Sequence, residues 1–590
     1  MVLFLFFKTF NDMKKIILLL LLLCLSNMGF SQNKYFEKNI NFSDYFQDAY
    51  QVILFNDFFY LKGGYVGDMQ LQNPQTDWAA HLICLNKWGD TLFVKRYELE
   101  GGRISIQDMK IDTSGIYMVV AQDSISDNYE YNTFFMRTDF EGNVLQYQFV
   151  GDSVYSDIGR SIVKNADGTY IIGGEISYND SRRPYAIKLD ANGNVIWRKT
   201  FTQYWNSEFN AVDVDSLGNY YFFGTNDKDL PMIGQWLIVK TDTAGNTLEY
   251  RVYYLDIENA ADQILYGKVA KQDNSLLLCS CTNYWDCGIT KLDTAWNIVW
   301  RSEHVFKRGG SATIEELPDG SIVSAGNLAF DTLQPILAKI SSSGETMWQR
   351  RYGPTDFDYL YGLARSPDGG YLAVGRSYLP DIEVVPIYMV KTNCMGLLTE
   401  PAAAFTTYQT GNSPLEVAFA NASQYVYPDS IDGGHYVWDF GDGSPPFVCG
   451  QGFGACPDVV LHSYAAQGQY TASLRAVVCS DTSQVEQSVV VLWNGTANPD
   501  KPKPLLHLMP NPANNTLYLT LSGAAAPISG IWHLYDATGR QVRQSSLLVA
   551  PQPSSIPIAD LPEGIYIWQF YTHNTSQAVQ SGKISILRSF

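Results

Sequence analysis

Basic charge is scarce in this chain of 590 residues: 41 Lys and Arg stand against 60 Asp and Glu, a formal net charge of −19. Nucleic acid and anionic lipid are not expected partners, because binding to a polyanion draws its affinity from clustered cations. Histidine is scarcer, seven in all, and only His81 and His304 fall within residues 32–399, so a His-dependent triad has few candidate bases. No HExxH, nucleophile elbow, P-loop or dinucleotide fingerprint occurs in a supporting context, and no EF-hand-like loop is present. Neither a catalytic residue nor a metal nor a cofactor is therefore expected. Apolar residues lack a 3.6-residue period, which argues against a helical architecture. The long apolar run at 16–25 is too short to span a bilayer.

That run follows Lys14 and Lys15 and precedes small residues at Gly29 and Ser31, the pattern of a secretory signal peptide over 1–31 with Met13 as an alternative start. No transmembrane segment is expected after cleavage. Eight cysteines then remain in a chain leaving the cytoplasm, where disulfides persist. Cys449 and Cys456, in one Gly-rich loop, are the disulfide candidate. Cys279, Cys281 and Cys287 match no common zinc spacing and have no His beside them, so a disulfide or buried thiols are expected there rather than a metal.

What the chain has in abundance is aromatic residues, 14% of the total with 38 Tyr, a β-rich profile. It also has a repeat. The stretch KLDANGNVIW around Gly193 recurs in looser form around Gly89, Gly142, Gly245, Trp296, Gly344 and Gly396. Seven copies at intervals near fifty residues signal a repeat architecture. A second turn recurs between them, as in NADGTYIIGG and SPDGGYLAVG, and the runs between turns alternate with period two. Four strands per unit, joined by tight hairpins, predict a seven-bladed β-propeller over 32–399. The last copy lacks an outer strand, and residues 34–41 align with the outer strand of a middle unit, so the N-terminus is expected to complete the seventh blade and remove a free sheet edge.

Beyond residue 400 the pattern changes to YVWDFGDGSPPF followed by HSYAAQGQYTASLRAVV. Through Trp438, Asp439, Phe440, Gly441, Asp442 and Gly443, and through His462, Tyr464, Gly468 and Tyr470, residues 400–493 resemble a PKD domain, which implies an immunoglobulin-like sandwich. Asp439 and Asp442 are expected to organise a turn rather than act as catalytic carboxylates. A Pro-rich linker covers 494–506. Residues 507–590 then carry Pro510, Asn511 and Pro512; Asp536, Gly539 and Arg540; Leu561, Gly564 and Tyr566; and Gly582 with Lys583. This set resembles the type A sorting domain of the Bacteroidota type IX secretion system. The resemblance implies a small β-sandwich, an interaction with the type IX secretion machinery, and a secreted or outer-membrane surface-attached product.

The longer connections of each unit hold its variable residues. Tyr129, Tyr131, Tyr178, Arg182, Tyr204, Trp205, Tyr284 and Trp285 lie there and are the expected ligand-binding set, since exposed aromatics with polar neighbours suit stacking on sugar rings or anchoring a peptide. The expected function is a non-enzymatic binding or adhesion protein presenting this loop face to an extracellular glycan or protein. The alternative is a secreted polysaccharide hydrolase or lyase with carboxylates in the propeller funnel.

Overall fold

The computed structural model describes residues 34–586 apart from 42–46, 65–78, 99–101, 125–129, 179–180, 227–234, 254–261, 283–285, 308–312, 330–332, 354–357, 379–384, 411–412, 414, 429–432, 493–504, 510–512, 514, 523–527, 537–539, 550–553 and 573–579. The signal-peptide expectation lies outside these residues, as do Tyr129, Tyr284, Trp285, Pro510, Asn511, Pro512 and Gly539. Among the described residues the regular structure is entirely strand. Among the described residues no helix is long and apolar enough to cross a membrane. Two compact units are present, one of residues 1–345 and 351–399 and one of 346–350 and 400–590.

Residues 36–392 form seven four-stranded antiparallel sheets. Numbered by their first strands, sheets 1 to 7 begin with Asp48–Phe55, Gly102–Asp112, Asp157–Lys164, Ser207–Val214, Asp262–Val269, Thr313–Glu316 and Asp358–Arg365. The first six are meanders of consecutive strands. In sheet 7 the outer place is taken by Phe36–Ile40, paired antiparallel with Ile387–Thr392 from Phe36↔Lys391 to Ile40↔Ile387. Alternation puts one apolar face of each strand toward the preceding sheet and one toward the next, so the core is a series of layers between sheets. Met109 and Met118 pack with Leu82 and Cys84 between sheets 1 and 2. Phe209 and Phe222 pack with Ile171 and Ala186 between sheets 3 and 4. Val52 and Leu61 pack with Leu372 and Met389, joining the seventh sheet to the first. The all-β architecture is that of a β-propeller followed by β-sandwich modules.

The recurring hairpin explains the repeat. In KLDANGNVIW, Asp190 accepts hydrogen bonds from the amides of Asn192 and Asn194, each at 2.8 Å, and its second oxygen accepts from Asn194 Nδ2 at 2.9 Å. The Asp139/Asn143, Asp242/Asn246 and Asp293/Asn297 pairs repeat these bonds. Asn192 and Gly193 both look suited to positive φ in the sequence, but only Gly193 adopts it, at +81°. The register shift between Lys188 and Leu189 supplies the reason: the turn closes through a bulge that needs a single left-handed residue. That extra residue also turns Val195 and Trp197 toward opposite neighbours, Val195 onto the layer between sheets 2 and 3 and Trp197 onto that between sheets 3 and 4.

Residues 405–491 form a three-stranded and a four-stranded sheet whose core centres on Trp438, 1% exposed, with Phe405 and Phe419 meeting it edge-on at 5.3 and 5.9 Å. Asp439 accepts from the Gly441 amide at 2.9 Å and Asp442 from the Ser444 amide at 3.0 Å, the turn role expected of both. Residues 505–586 form another three-stranded and four-stranded pair around Trp532, Trp568 and Phe570. In this last module Tyr566 is buried and donates to the Pro562 carbonyl at 2.7 Å, while Gly582 lies on the Trp568 indole, where a Cβ would come within 2.7 Å of Nε1. Gly564 takes a φ of +152°, and Lys583 is exposed opposite Ile567.

Cys449 and Cys456 form a disulfide. Cys281 and Cys287 form another, across one cross-strand pair of sheet 5. Cys279 is a buried thiol, like Cys84. Among the described residues no group of three or more His, Cys, Asp and Glu side chains is placed to hold a metal ion.

Candidate functional site

The first strands of the sheets share a backbone device. The register to the second strand shifts at the same place in six of them, leaving one bulged residue: Tyr50, Gln107, Arg160, Asn210, Leu265 and Tyr361 in sheets 1 to 5 and 7. Bulges bend a strand and re-aim a side chain, so a constant backbone presents a variable residue. In sheets 3, 4 and 7 the residue opposite the bulge is a glycine for a steric reason, whereas Val120 and Ser280 hold that place in sheets 2 and 5. A Cβ on Gly174, Gly224 or Gly375 would stand 1.9, 1.8 or 1.9 Å from the carbonyl oxygen of Ile158, Glu208 or Tyr359. These positions lie toward the end of each sheet opposite the KLDANGNVIW-type turn, as the ladder from Tyr170↔Leu189 to Tyr178↔Ser181 shows in sheet 3.

The bulged positions of sheets 3 and 4 adjoin an ionic cluster. Arg160 reaches Glu175 at 2.7 Å and Glu208 at 3.5 Å, and Arg182 reaches Glu208 at 2.8 Å and Glu175 at 3.6 Å. Burial raises the Glu175 carboxyl above its ordinary range against the attraction of Arg160, and the adjacent Glu208 adds to the rise. Burial also opposes ionisation of Glu208, but Arg160 and Arg182 outweigh it and hold that carboxyl low. Two carboxyls pushed in opposite directions are a recognised acid–base signature. Here each also has a guanidinium partner within salt-bridge distance.

Of the residues expected to bind ligand, Arg182 belongs to this cluster. Tyr131 adjoins it, its amide donating to Ser156 Oγ at 2.8 Å and its phenol lying within electrostatic reach of Arg160. Trp205 is 52% exposed and carries the Arg183 guanidinium over its ring at 3.7 Å. Tyr204 has to be withdrawn as an exposed binder. It is 5% exposed, packs with Phe201 and Phe209, and meets Tyr250 edge-on at 5.6 Å; burial pushes its hydroxyl up to about 12. Tyr178 ends the second strand of sheet 3, opposite Ser181.

Deeper among the first strands the charges are committed to neighbouring chain. Asp108 is bound by Lys110 Nζ at 2.7 Å, Gln51 Nε2 at 2.8 Å and the Ile162 amide at 2.9 Å, linking sheets 1, 2 and 3. Asp213 accepts from the Val269 amide of sheet 5 at 2.9 Å. Burial raises the Tyr266 hydroxyl, and Asp213, Glu315 and Asp108, on three other sheets, add to the rise.

A third group is invisible in the loops. Tyr50 and Tyr361, bulged residues of sheets 1 and 7, have ring centroids 5.0 Å apart. Tyr359 lies 5.9 Å from Tyr361 and Tyr378 lies 6.1 Å from Tyr359. Arg376 stands over the rings of Tyr359, Tyr378 and Tyr361 at 4.8, 5.2 and 5.6 Å. Tyr50 is 36% exposed and the other three tyrosines are half-buried. The only advance signal was the pair of tyrosines two apart in DYLYG, on one face of a strand.

No curated protein matches this sequence. Among solved structures, the PKD1 domain of Vibrio anguillarum Epp is similar over 16% of this chain and 94% of its own, at 25% identity and a TM-score of 0.12. Puromycin hydrolase is similar over 65% of this chain and 59% of its own, at 12% identity and a TM-score of 0.38. The periplasmic gluconolactonase PpgL of Pseudomonas aeruginosa is similar over 53% of this chain and 88% of its own, at 11% identity and a TM-score of 0.36. Residues 507–585 match the family of secretion system C-terminal sorting domains, and this segment marks the chain as a secreted or surface-attached product of that export pathway.

Proposed function

We propose that this is a non-enzymatic binding or adhesion protein, exported through the type IX machinery of a Bacteroidota cell. Residues 32–399 would form one closed ring of seven blades, completed by the N-terminal strand, with the PKD-like module at 400–493 as a spacer. The ends of the sheets that carry the bulged residues would face an extracellular glycan or protein. One observation carries the choice of binding over turnover. Asp108, Asp213 and Glu208 of the first strands are tied to Lys110, to amides of adjacent sheets and to Arg182, whereas at the same end the exposed ring of Trp205 carries Arg183 and the half-buried tyrosines of sheet 7 carry Arg376. Chemistry on a glycosidic bond needs two carboxyl groups free to face the substrate. Aromatic and arginine anchors suit recognition.

The polysaccharide hydrolase or lyase reading rests on the divergent Glu175 and Glu208 pair. A glycan and protein array probed with the full exported protein, with reducing-end release assayed in parallel, separates the two. Saturable binding without product is expected. Release of reducing ends that disappears in Glu175→Gln and Glu208→Gln would establish the enzyme instead.

A further inference from the structure

We infer that Tyr50, Tyr359, Tyr361 and Tyr378, gathered around Arg376 where sheet 7 meets sheet 1, form a carbohydrate site whose ligand is a chain of pyranose rings. This rests on the binding function proposed above and gives it a place and a ligand class.

Packing alone does not account for tyrosine here. Tyr361 occupies the bulged position that holds Arg160 in sheet 3 and Asn210 in sheet 4, and Tyr359 occupies the register position of Glu208. The backbone is therefore satisfied by a charged or amide side chain at the same place. Four aromatic rings at the junction of two sheets are a local feature of this pair of units. They form a continuous row, with centroid steps of 5.0, 5.9 and 6.1 Å, that begins at the exposed ring of Tyr50.

The chemistry of the row points to a sugar. A phenol ring offers an apolar face with negative charge density and, at its rim, a hydroxyl that both donates and accepts. The C–H face of a pyranose is apolar and slightly positive, while its equator carries hydroxyls, so one side chain satisfies both parts. Arg376 lies within 6 Å of three ring centroids, which fixes the rings by cation–π attraction and limits the side-chain entropy lost on binding. Its planar guanidinium is also the group best matched to a uronate carboxylate. A row of rings longer than one sugar suits a polymer, and the sorting tail delivers the chain to the cell exterior, where such polymers are met.

The test is affinity electrophoresis of the full exported protein in gels containing xylan, mannan, laminarin, alginate or polygalacturonate, followed by titration calorimetry with the retained polymer. Tyr359→Ala and Tyr361→Ala should each weaken binding roughly tenfold or more, the loss expected of an anchor residue. Tyr359→Phe keeps the ring and should stay within about threefold of the wild type, which separates loss of stacking from loss of folding. Leu217→Ala, an exposed turn residue of sheet 4 outside the proposed binding surface, should leave affinity unchanged. Retention by alginate and polygalacturonate alone would identify a uronate ligand, and retention by the other three a neutral one; both support the site. A wild type that binds polysaccharide while the alanine variants, with native circular dichroism, bind it equally would overturn this site and leave the proposed function standing. A wild type that binds only peptides would overturn the sugar assignment, and one that binds nothing on either array would overturn both.

Discussion

Two residues depart from the rule their position sets, and each makes a prediction. Trp296 stands where other copies of the hairpin have glycine, at a φ of +63°, a conformation that costs a side-chain-bearing residue about 1 kcal/mol or more. It persists because the indole is 1% exposed, lies against Tyr221 and Arg251, and its carbonyl accepts from Arg251 Nη1 and Tyr253 Oη at 2.7 Å. Trp296→Gly removes the backbone cost but also a buried ring worth about 3–5 kcal/mol, so a net loss of about 2–4 kcal/mol is expected in denaturant unfolding of the first unit. Asp157, which starts the first strand of sheet 3, is pushed up to about 6 by burial, in spite of bonds from the Thr133 and Asp152 amides at 3.1 and 2.5 Å. Its folded value lies above its unfolded one. The stability it contributes is therefore full below about pH 4 and is lost as pH rises through 6, a change of about 3 kcal/mol. Between pH 4 and 7 the wild type should lose about that much stability relative to Asp157→Asn. Melting curves of both proteins across that range check the sign, and parallel pH profiles would contradict it.

At the scale of the element, what was legible in the sequence was what is encoded locally. The Asx–Gly turns and the period-two alternation identify strands and hairpins because turn chemistry and side-chain facing are set by neighbours in sequence. The match over 507–585 was legible for the same reason, from short motifs such as Gly564 with Tyr566 and Gly582 with Lys583. The rim was not. Tyr50 and Tyr361 come from opposite ends of the first unit and meet only because sheet 7 packs on sheet 1. Tyr204 carries the same local signal as Trp205, but tertiary packing buries one and exposes the other. The first-strand bulge also escapes a sequence reading, although in sheets 3, 4 and 7 its steric partner is visible as a glycine in the second strand. Gly224→Ala would drive a Cβ into the Glu208 carbonyl. We predict that it lowers stability by about 2–4 kcal/mol and displaces Glu208 from Arg182. Gly468, which like Gly224 has no positive φ and whose added Cβ would meet only Tyr470 at an ordinary 3.5 Å, serves as a control for backbone freedom alone.

At the scale of the whole molecule, the proposed function joins an address to a recognition surface. The sorting segment accounts for export, and the repeated sheets account for a rigid frame on which the residues at one strand position vary. Deleting residues 507–590 should leave the first unit folded but retained inside the cell, and fractionation with an antibody to that unit measures this. Recognition without turnover is the central claim. Its most direct test is to saturate the exported protein with the polysaccharide it retains, recover the polymer after prolonged incubation, and measure its chain length. The account predicts saturable binding and an unchanged length distribution. A distribution shifted to shorter chains, in proportion to protein and time, would contradict it.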